Sequence, residues 1–310
     1  MRGWDRSHAT TTELNFELYF VTEVLHLRSL HYGYWDGPRI GKGIDLEQMA
    51  RAQTRFTERL LEFVPPNVKH VLDVGAGIGD NARALARAGH RVMAISPDAN
   101  HARYFAEIEE PNVSFRQSSF EAFESEERFD LVLFSESHRY FDRRFGLRRA
   151  AELLRPGGHL LVSGMFPNEQ KAPYAADFDI ADLPYLQIAS ECGFDVIRLA
   201  DITSNILPTV EMIDHSLTEY VEPTIRFADA YLAARSPWKR RLARLFLSKE
   251  DAELGRIRKK LRRKTNPARF RGRVRYVTIL FEARSARSGE GASKHPRQRS
   301  APDAPLAKTS

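Results

Sequence analysis

Residues 71 to 80 read Val-Leu-Asp-Val-Gly-Ala-Gly-Ile-Gly-Asp, and this run constrains the fold more than any other stretch of the chain. An apolar segment ends in an acid, three alternating glycines follow, and a helical pattern begins after them. We predict a buried strand that turns sharply into a helix, because glycine reaches backbone conformations closed to other residues and lets a ligand approach. The first turn of that helix points free N–H groups at the same place. A nucleotide-like ligand is therefore expected there, the alternative being a glycine-rich turn without a ligand.

Segments of strand and helix pattern alternate on both sides of this turn. Such alternation predicts an α/β fold with a mostly parallel sheet wound by helices on both faces. Two N-terminal helices precede the sheet, a long helical insertion interrupts the rhythm before the last strand, and ligands are expected beyond the carboxyl ends of the strands. The predicted strands are 68–74, 90–96, 113–116, 129–135, 159–164, 194–202 and 274–281, and the predicted helices of the core are 78–88, 98–109, 143–154 and 181–192.

The domain organisation follows from the same patterns and from composition. The predicted parts are an N-terminal helical lid segment (1–64), a nucleotide-binding core (65–204), a basic helical insertion (205–272), a last core strand (273–283) and a disordered tail (284–310). The tail is rich in small, polar and basic residues, which cannot bury enough apolar surface to fold. A single cysteine, Cys192, excludes an intrachain disulfide and a cysteine cluster for zinc. No signal peptide or membrane span is recognised, and we expect a cytoplasmic protein without a bound metal.

The glycine spacing separates two kinds of ligand. Glycines at 75, 77 and 79 fit G-x-G-x-G and not the dinucleotide fingerprint G-x-G-x-x-G, so an NAD enzyme is disfavoured. The run 71–80 resembles motif I of the class I S-adenosylmethionine-dependent methyltransferases. Three further segments match that family in order, over roughly residues 30 to 200, and the resemblance is to its small-molecule branch. They are the loop Leu30-His-Tyr-Gly-Tyr-Trp, the strand Phe129-Asp-Leu-Val-Leu-Phe-Ser-Glu-Ser and Arg155-Pro-Gly-Gly-His-Leu-Leu-Val.

The resemblance implies a Rossmann-like fold with a seven-stranded sheet, in which residues 65–204 form the core that binds S-adenosylmethionine. In the family, the acid at the position of Asp73 holds the methionine end of the cofactor, and glycines such as Gly75 and Gly77 pack under the adenosine. The tyrosine loop before motif I closes over the cofactor, which makes Tyr32 and Tyr34 candidates, although an aromatic plug on the sheet is an alternative. The faces of these rings attract a cation such as the sulfonium.

The ends of the next strands depart from the family pattern. Where the family places an acid for the ribose, this chain has Ser96, with Asp98 two residues later; Asp98 is equally suited to cap the next helix. Ser118 and Ser119 replace the residues that contact the adenine, with a plain turn as the alternative. Ser135 and Glu136, at the end of the fourth strand, complete the predicted cofactor site.

The catalytic residues are less clearly indicated by the resemblance. Related enzymes carry Glu-Ser-x-x-His after the fourth strand, but Tyr140 occupies the position of that histidine here. A hydroxyl or amine acceptor must lose a proton, and histidine suits this role. Our candidates are therefore His138, Tyr140 and, from the lid, His31, although a structural role for His138 is equally compatible with the sequence.

Positive charge is concentrated in one segment. Residues 239–275 hold sixteen lysines or arginines and three acids, a net charge of +13, so the remainder carries 6 − 13 = −7. Peripheral contact with anionic lipid, contact with nucleic acid and a solvated basic face are the alternatives, with nucleic acid disfavoured. The sequence predicts methyl transfer to a small-molecule acceptor, at oxygen before carbon or nitrogen. A degenerate cofactor-binding scaffold, or a lipid- or RNA-directed methyltransferase that uses the basic insertion, is the alternative.

Overall fold

A seven-stranded sheet organises the chain. The computed structural model describes residues 16–37, 43, 45–167, 180–235 and 266–284. The strand order is β3-β2-β1-β4-β5-β7-β6; strands β1 to β5 pair in parallel, and β7 lies antiparallel between β5 and β6. The strands are β1 His70–Val74, β2 Arg91–Ser96, β3 Val113–Gln117, β4 Phe129–Ser135, β5 Leu154–Pro167, β6 Phe194–Asp201 and β7 Val274–Ala283.

Helices cover both faces of this sheet, as predicted. A short helix at the start continues as a π-helix over Phe20–Val24, and a second π-helix, Leu217–Val221, joins α7 to α8. The α-helices are α1 Phe16–Tyr19, α2 Leu46–Leu61, α3 Asp80–Arg87, α4 Ala102–Ala106, α5 Arg143–Leu153, α6 Pro184–Glu191, α7 Thr203–Ser216, α8 Glu222–Arg235 and α9 Pro267–Arg273. Among the described residues, no helix is long and apolar enough to cross a membrane.

Strand β1 shows why the sheet is buried on both sides. All five of its residues are buried, and alternate side chains enter two different apolar cores. Leu72 packs with the core under α5 and α6, whereas Val71 packs with the core under α2 and α3. Strands that are covered on both faces read as continuous apolar runs, which is the pattern of residues 71–74.

Helix α2 places the lid segment against the sheet. Its N-cap, Asp45, accepts a hydrogen bond from the backbone N–H of Gln48, and its buried stripe includes Met49, Phe56 and Leu60. The ring of Phe56 meets the ring of Tyr276 on β7 edge to face, with centroids 5.9 Å apart. Helix α2 therefore covers the face of the sheet near the ends of β4, β5 and β7.

Three local predictions need correction. The segment 98–109 forms a 3-10 turn, Ala99–His101, and the short α4 instead of one helix. Residues 156–158 belong to β5, which starts at Leu154, and the register with β4 shifts between Phe129 and Leu131. Helix α7 begins at Thr203, before the predicted start of the insertion at 205. Residues 239–265 of the basic segment and the tail beyond 284 lie outside the described residues, as does the segment 1–15.

Candidate active site

The glycine turn after β1 is shaped for close approach. Gly75, Gly77 and Gly79 all have positive φ angles, of 74°, 55° and 84°. The backbone N–H groups of Gly75 and Ala76 both donate to the carbonyl oxygen of Ile95 at the end of β2, at 2.9 and 3.0 Å. A Cβ atom added at Gly75 would stand 2.6 Å from the Cβ of Ser137. The turn is therefore a backbone cradle that side chains at these positions would close.

The acid beneath this turn lacks a hydrogen-bond partner. Asp73 is 1 % exposed, and neither of its carboxylate oxygens is hydrogen-bonded within the described part of the chain. Burial first, and then the nearby Asp80, raise the pKa of Asp73 from 3.8 to about 8. Buried polar atoms in folded proteins are nearly always partnered, so this carboxyl points to a ligand that donates to it.

Two hydroxyls at the end of the neighbouring strand, β4, are also buried without a hydrogen-bond partner in the described structure. Asp73 pairs with Leu133 on β4, and Ser135 ends that strand. The Oγ atoms of Ser135 and Ser137 are also buried without a hydrogen-bond partner among the described residues. An acid and two hydroxyls around an open backbone cradle fit a ligand with a cationic amine and several polar groups, as S-adenosylmethionine has.

The predicted ribose and adenine contacts are engaged locally. Ser96 Oγ lies 2.8 Å from His101 Nδ1, and Asp98 accepts from the backbone N–H of Asn100 at 2.9 Å, which makes it the cap of the 3-10 turn. Ser118 donates to the carbonyl oxygen of Ser119 at 2.9 Å. Ser119 Oγ accepts from the backbone of residue 122 at 3.2 Å. These residues surround the ends of β2 and β3, and their contact with the cofactor stays a prediction.

The two tyrosines of the lid point to different places. The Tyr32 ring meets the Tyr276 ring edge to face, with centroids 6.1 Å apart, which places it beside the end of β4. Tyr34 packs under the Arg59 guanidinium, 5.2 Å from its ring centroid, and lines a separate cavity of about 100 Å³. The Tyr34 ring is held against Arg59 of helix α2, and the closure of both tyrosines over the cofactor stays a prediction.

Glu136 stands at the carboxyl end of β4 in an unusual conformation. Its φ angle is +60°, which is uncommon for a residue other than glycine and marks a backbone held by its surroundings. Its N–H donates to the carbonyl oxygen of Ser163 at 2.7 Å, and its carboxylate accepts a short hydrogen bond from Tyr276. Burial, followed by Glu136, raises the pKa of Tyr276 well above its usual value, so the phenol remains a donor.

The predicted catalytic residues are not brought together. The His138 ring is 2 % exposed, stacks on Phe166 with centroids 4.5 Å apart, and has its pKa lowered to about 3, first by burial and then by Arg139. An imidazole with this pKa is a poor proton acceptor at neutral pH, and its packing is that of a core side chain. Tyr140 is 72 % exposed at the surface.

His31 lies inside the lid and not at its surface. It is 7 % exposed, and its Nε2 atom is 2.6 Å from the Oδ2 atom of Asp80. Both Asp80 and Tyr276 were missed as site residues. Asp80 is the last residue of the motif I run, and an acid in the first turn after a glycine loop was the available signal. Tyr276 is separated from Glu136 by 140 positions, so local sequence carried no sign of their contact.

The described residues contain no cluster suited to a metal ion.

A seven-stranded sheet with one antiparallel strand, and a glycine turn above an unpartnered acid at the end of β1, define the class I methyltransferases that use S-adenosylmethionine. The comparisons with known proteins agree. A family model described as "Methyltransferase domain" matches residues 71–158. The chain is 29 % identical to methyltransferase GfsG of Streptomyces halstedii over 205 residues, 58 % of this chain and 71 % of the relative.

Two further comparisons extend this result. Over 158 residues, the chain is 33 % identical to the 27-O-demethylrifamycin SV methyltransferase of Amycolatopsis mediterranei, which is 48 % of this chain and 56 % of that enzyme. The geranyl diphosphate C-methyltransferase of Streptomyces coelicolor, in complex with S-adenosyl-L-homocysteine, has the same fold, with a TM-score of 0.58 and 16 % identity over 88 % of this chain and 94 % of that one. The chain is similar to the class I S-adenosylmethionine-dependent methyltransferases, and the predicted fold, cofactor and reaction type are confirmed.

Proposed function

We propose that this methyltransferase transfers the methyl group to a hydroxyl oxygen of a small organic molecule. The observation that carries the proposal is the Glu136 carboxylate, held by Tyr276 at the carboxyl end of β4, next to the predicted cofactor site. The name of one relative, the 27-O-demethylrifamycin SV methyltransferase, supports a small-molecule acceptor.

Bound S-adenosylmethionine supplies an electrophilic methyl group on a sulfonium. Asp73, with its unpartnered oxygens, would hold the cationic amine of the donor, and the backbone of Gly75 and Gly77 would hold the adenosine. Glu136 accepts the proton of the acceptor hydroxyl as the oxygen–methyl bond forms and the sulfur–methyl bond breaks. A positioned carboxylate of this kind contributes about 10²- to 10⁴-fold to such reactions.

In this proposal, Glu136 and not His138 accepts the proton, because the two side chains have different contacts. Tyr276 keeps its proton and donates to the Glu136 carboxylate, which holds that carboxylate in place. Glu136 is half-buried, so an acceptor reaches it, whereas His138 is packed against Phe166. His31, the third predicted catalytic residue, is engaged with Asp80.

Glu136→Gln tests this assignment. We expect kcat to fall about 100-fold at saturating donor, with the Kd for S-adenosylmethionine changed less than about threefold. The acceptor panel contains phenols, sugar hydroxyls and polyketide alcohols, and the methylated atom is identified by NMR with a ¹³C-methyl donor. Glu191→Gln, which removes a surface partner of Arg144, is the matched control and should retain wild-type kcat.

Two outcomes would contradict the proposal. A weaker donor Kd with an unchanged kcat would return Glu136 to the cofactor-binding role predicted from sequence. A methyl group found on carbon or nitrogen would replace the O-methylation assignment, and donor binding without turnover on the whole panel would favour the degenerate scaffold.

We also propose peripheral contact with anionic lipid through residues 239–275, whose net charge of +13 attracts a negative surface. In the described part of the chain that precedes them, the side chains of Phe227 and Tyr231 are 71 % and 48 % exposed. Cosedimentation with vesicles should be salt-sensitive and require phosphatidylserine. Equal binding to pure phosphatidylcholine vesicles, or no binding at low salt, would refute it.

A further inference from the structure

Within the N-terminal lid segment, the loop of residues 29–35, called the lid below, is hydrogen-bonded to two helices. On α2, Gln53 Nε2 donates to the carbonyl oxygens of Ser29 and His31, both at 2.9 Å. On α7, Thr209 Oγ1 accepts from the backbone N–H of Gly33 at 3.1 Å and from Trp35 Nε1 at 2.9 Å. These bonds fix the two ends of the lid but leave open what holds its centre over the glycine turn.

The centre of the lid is held by the His31 side chain. Its Nδ1 atom lies 2.7 Å from the carbonyl oxygen of Tyr32, and its Nε2 atom lies 2.6 Å from Asp80 Oδ2 and 3.2 Å from Thr57 Oγ1. The ring also packs on Phe56, with centroids 4.4 Å apart. The Tyr32 carbonyl oxygen accepts from Nδ1. Thr57 Oγ1 donates its own proton to Asn81 Oδ1 and therefore accepts from Nε2, so both ring nitrogens donate, which only the imidazolium form does.

The charges around this imidazolium agree with that form. Asp80 faces the imidazolium from the start of α3, and Glu136 interacts with it electrostatically from the end of β4. Asp73, on β1, interacts electrostatically with Asp80. Burial is the largest single effect and lowers the pKa of His31, but Asp80, the Tyr32 carbonyl and Glu136 together raise it, and the net direction is upward. The result is a buried ion pair that joins the lid to the first residue of the helix after the glycine turn.

The residues on either side of His31 both lie against the predicted cofactor site. Leu30 Cδ1 lies 3.5 Å from the position that a Cβ on Gly77 would occupy, so this side chain covers the turn. Tyr32 lies against Tyr276, which holds Glu136. We propose that the His31–Asp80 ion pair positions the lid over the cofactor site, so that His31 sets the affinity for the methyl donor and takes no part in proton transfer.

A double-mutant cycle with His31→Gln and Asp80→Asn tests the pair. Each single variant leaves one buried charge without its partner, and we expect the Kd for S-adenosylmethionine, measured by calorimetry, to rise about tenfold or more. The double variant removes both charges and should bind no more weakly than the weaker single variant. At saturating donor, kcat should change less than about twofold in all three.

Hydrogen exchange of the donor-free protein gives a second readout, independent of catalysis. Amides of residues 29–35 should exchange about tenfold faster in both single variants than in the wild type, because the lid opens more often. His70→Gln is the matched control: this imidazole is also buried and near an acid, Glu127 at 3.5 Å, but it lies at the opposite end of β1. It should change neither the donor Kd nor lid exchange.

Three results would overturn the proposal. They are additive effects of the two substitutions, an unchanged donor Kd with a reduced kcat, and lid exchange that is the same in wild type and variants. If His31→Gln does not fold, Asp80→Asn alone still tests the Kd and the exchange. The donor Kd and the hydrogen exchange need no acceptor, so failure of the hydroxyl acceptor assignment would show as binding without turnover and leave these two measurements intact.

Discussion

Asp73→Asn is expected to stabilise the donor-free protein while weakening its binding of S-adenosylmethionine. Asp73 is buried without a hydrogen-bond partner in the described structure, and burial, then Asp80, raise its pKa from 3.8 to about 8. At neutral pH, the folded protein therefore holds a proton on this carboxyl that the unfolded chain has lost. Taking up that proton costs free energy of folding.

The size of this cost follows from the distance between the solution pH and the unfolded pKa. Each pKa unit is worth about 1.4 kcal/mol, so roughly three units at pH 7 cost about 4 kcal/mol, and roughly one unit at pH 5 costs about 1.5 kcal/mol. Since the folded-state pKa of Asp73 is raised, stability is lost as the pH rises from the unfolded value toward about 8. An amide is neutral at every pH and similar in size, so Asp73→Asn removes the cost.

Urea unfolding of the donor-free protein at pH 5 and pH 7 measures this effect. Asp130→Asn is the control with the opposite sign, because Asp130 Oδ2 accepts from the backbone N–H groups of Lys69 and His70 at 2.9 and 2.8 Å, and this variant should be destabilised. Calorimetry should show weaker donor binding by Asp73→Asn, since an amide cannot ionise to pair with the cationic amine. An Asp73→Asn protein less stable than wild type at pH 7, or a gain that does not grow between pH 5 and pH 7, would refute the reasoning.

Three further substitutions test other parts of the site. Gly75→Ala should abolish donor binding and cost about 1–2 kcal/mol of stability, because φ is +74° and the new Cβ would stand 2.6 Å from the Cβ of Ser137; thermal melting and calorimetry measure both. Tyr276→Phe should lower kcat about tenfold without changing the donor Kd, since Glu136 loses its hydrogen-bond donor. His138→Phe should keep at least about half of the wild-type kcat, because the ring packs in the core; a loss of more than about tenfold would restore this histidine to the mechanism.

The fold could be predicted from the sequence because short apolar runs determine the strands of the sheet locally. Strand β4 has the predicted bounds, Phe129–Ser135, since an apolar run between polar ends determines it. The glycine turn was predicted for the same reason, because only glycine tolerates three positive φ angles in five residues. The helix predicted over 98–109 broke down because Asp98 caps a 3-10 turn, and cap geometry and helix pattern competed there.

The site was predicted less completely because its contacts are distant in sequence. His31 was recognised as a site residue, but its role depends on Asp80, which approaches only when the lid folds over α3. His138 is only two residues after Glu136, yet the left-handed backbone at Glu136 turns the two side chains to different surroundings. No motif in the sequence encodes that turn.

The position of β7 has a consequence for how the protein is made. This strand lies between β5 and β6, pairing Leu161 with Leu280 and Val196 with Phe281, although it is synthesised after both. While the ribosome still translates the segment from 203 to 273, β5 and β6 have no partner on their facing edges, and such edges pair readily with other chains. Tyr276 arrives with β7, so the support of Glu136 is assembled in the last stage of folding. A chain that stops before residue 274 should therefore aggregate, which pelleting assays on a stalled nascent chain would reveal.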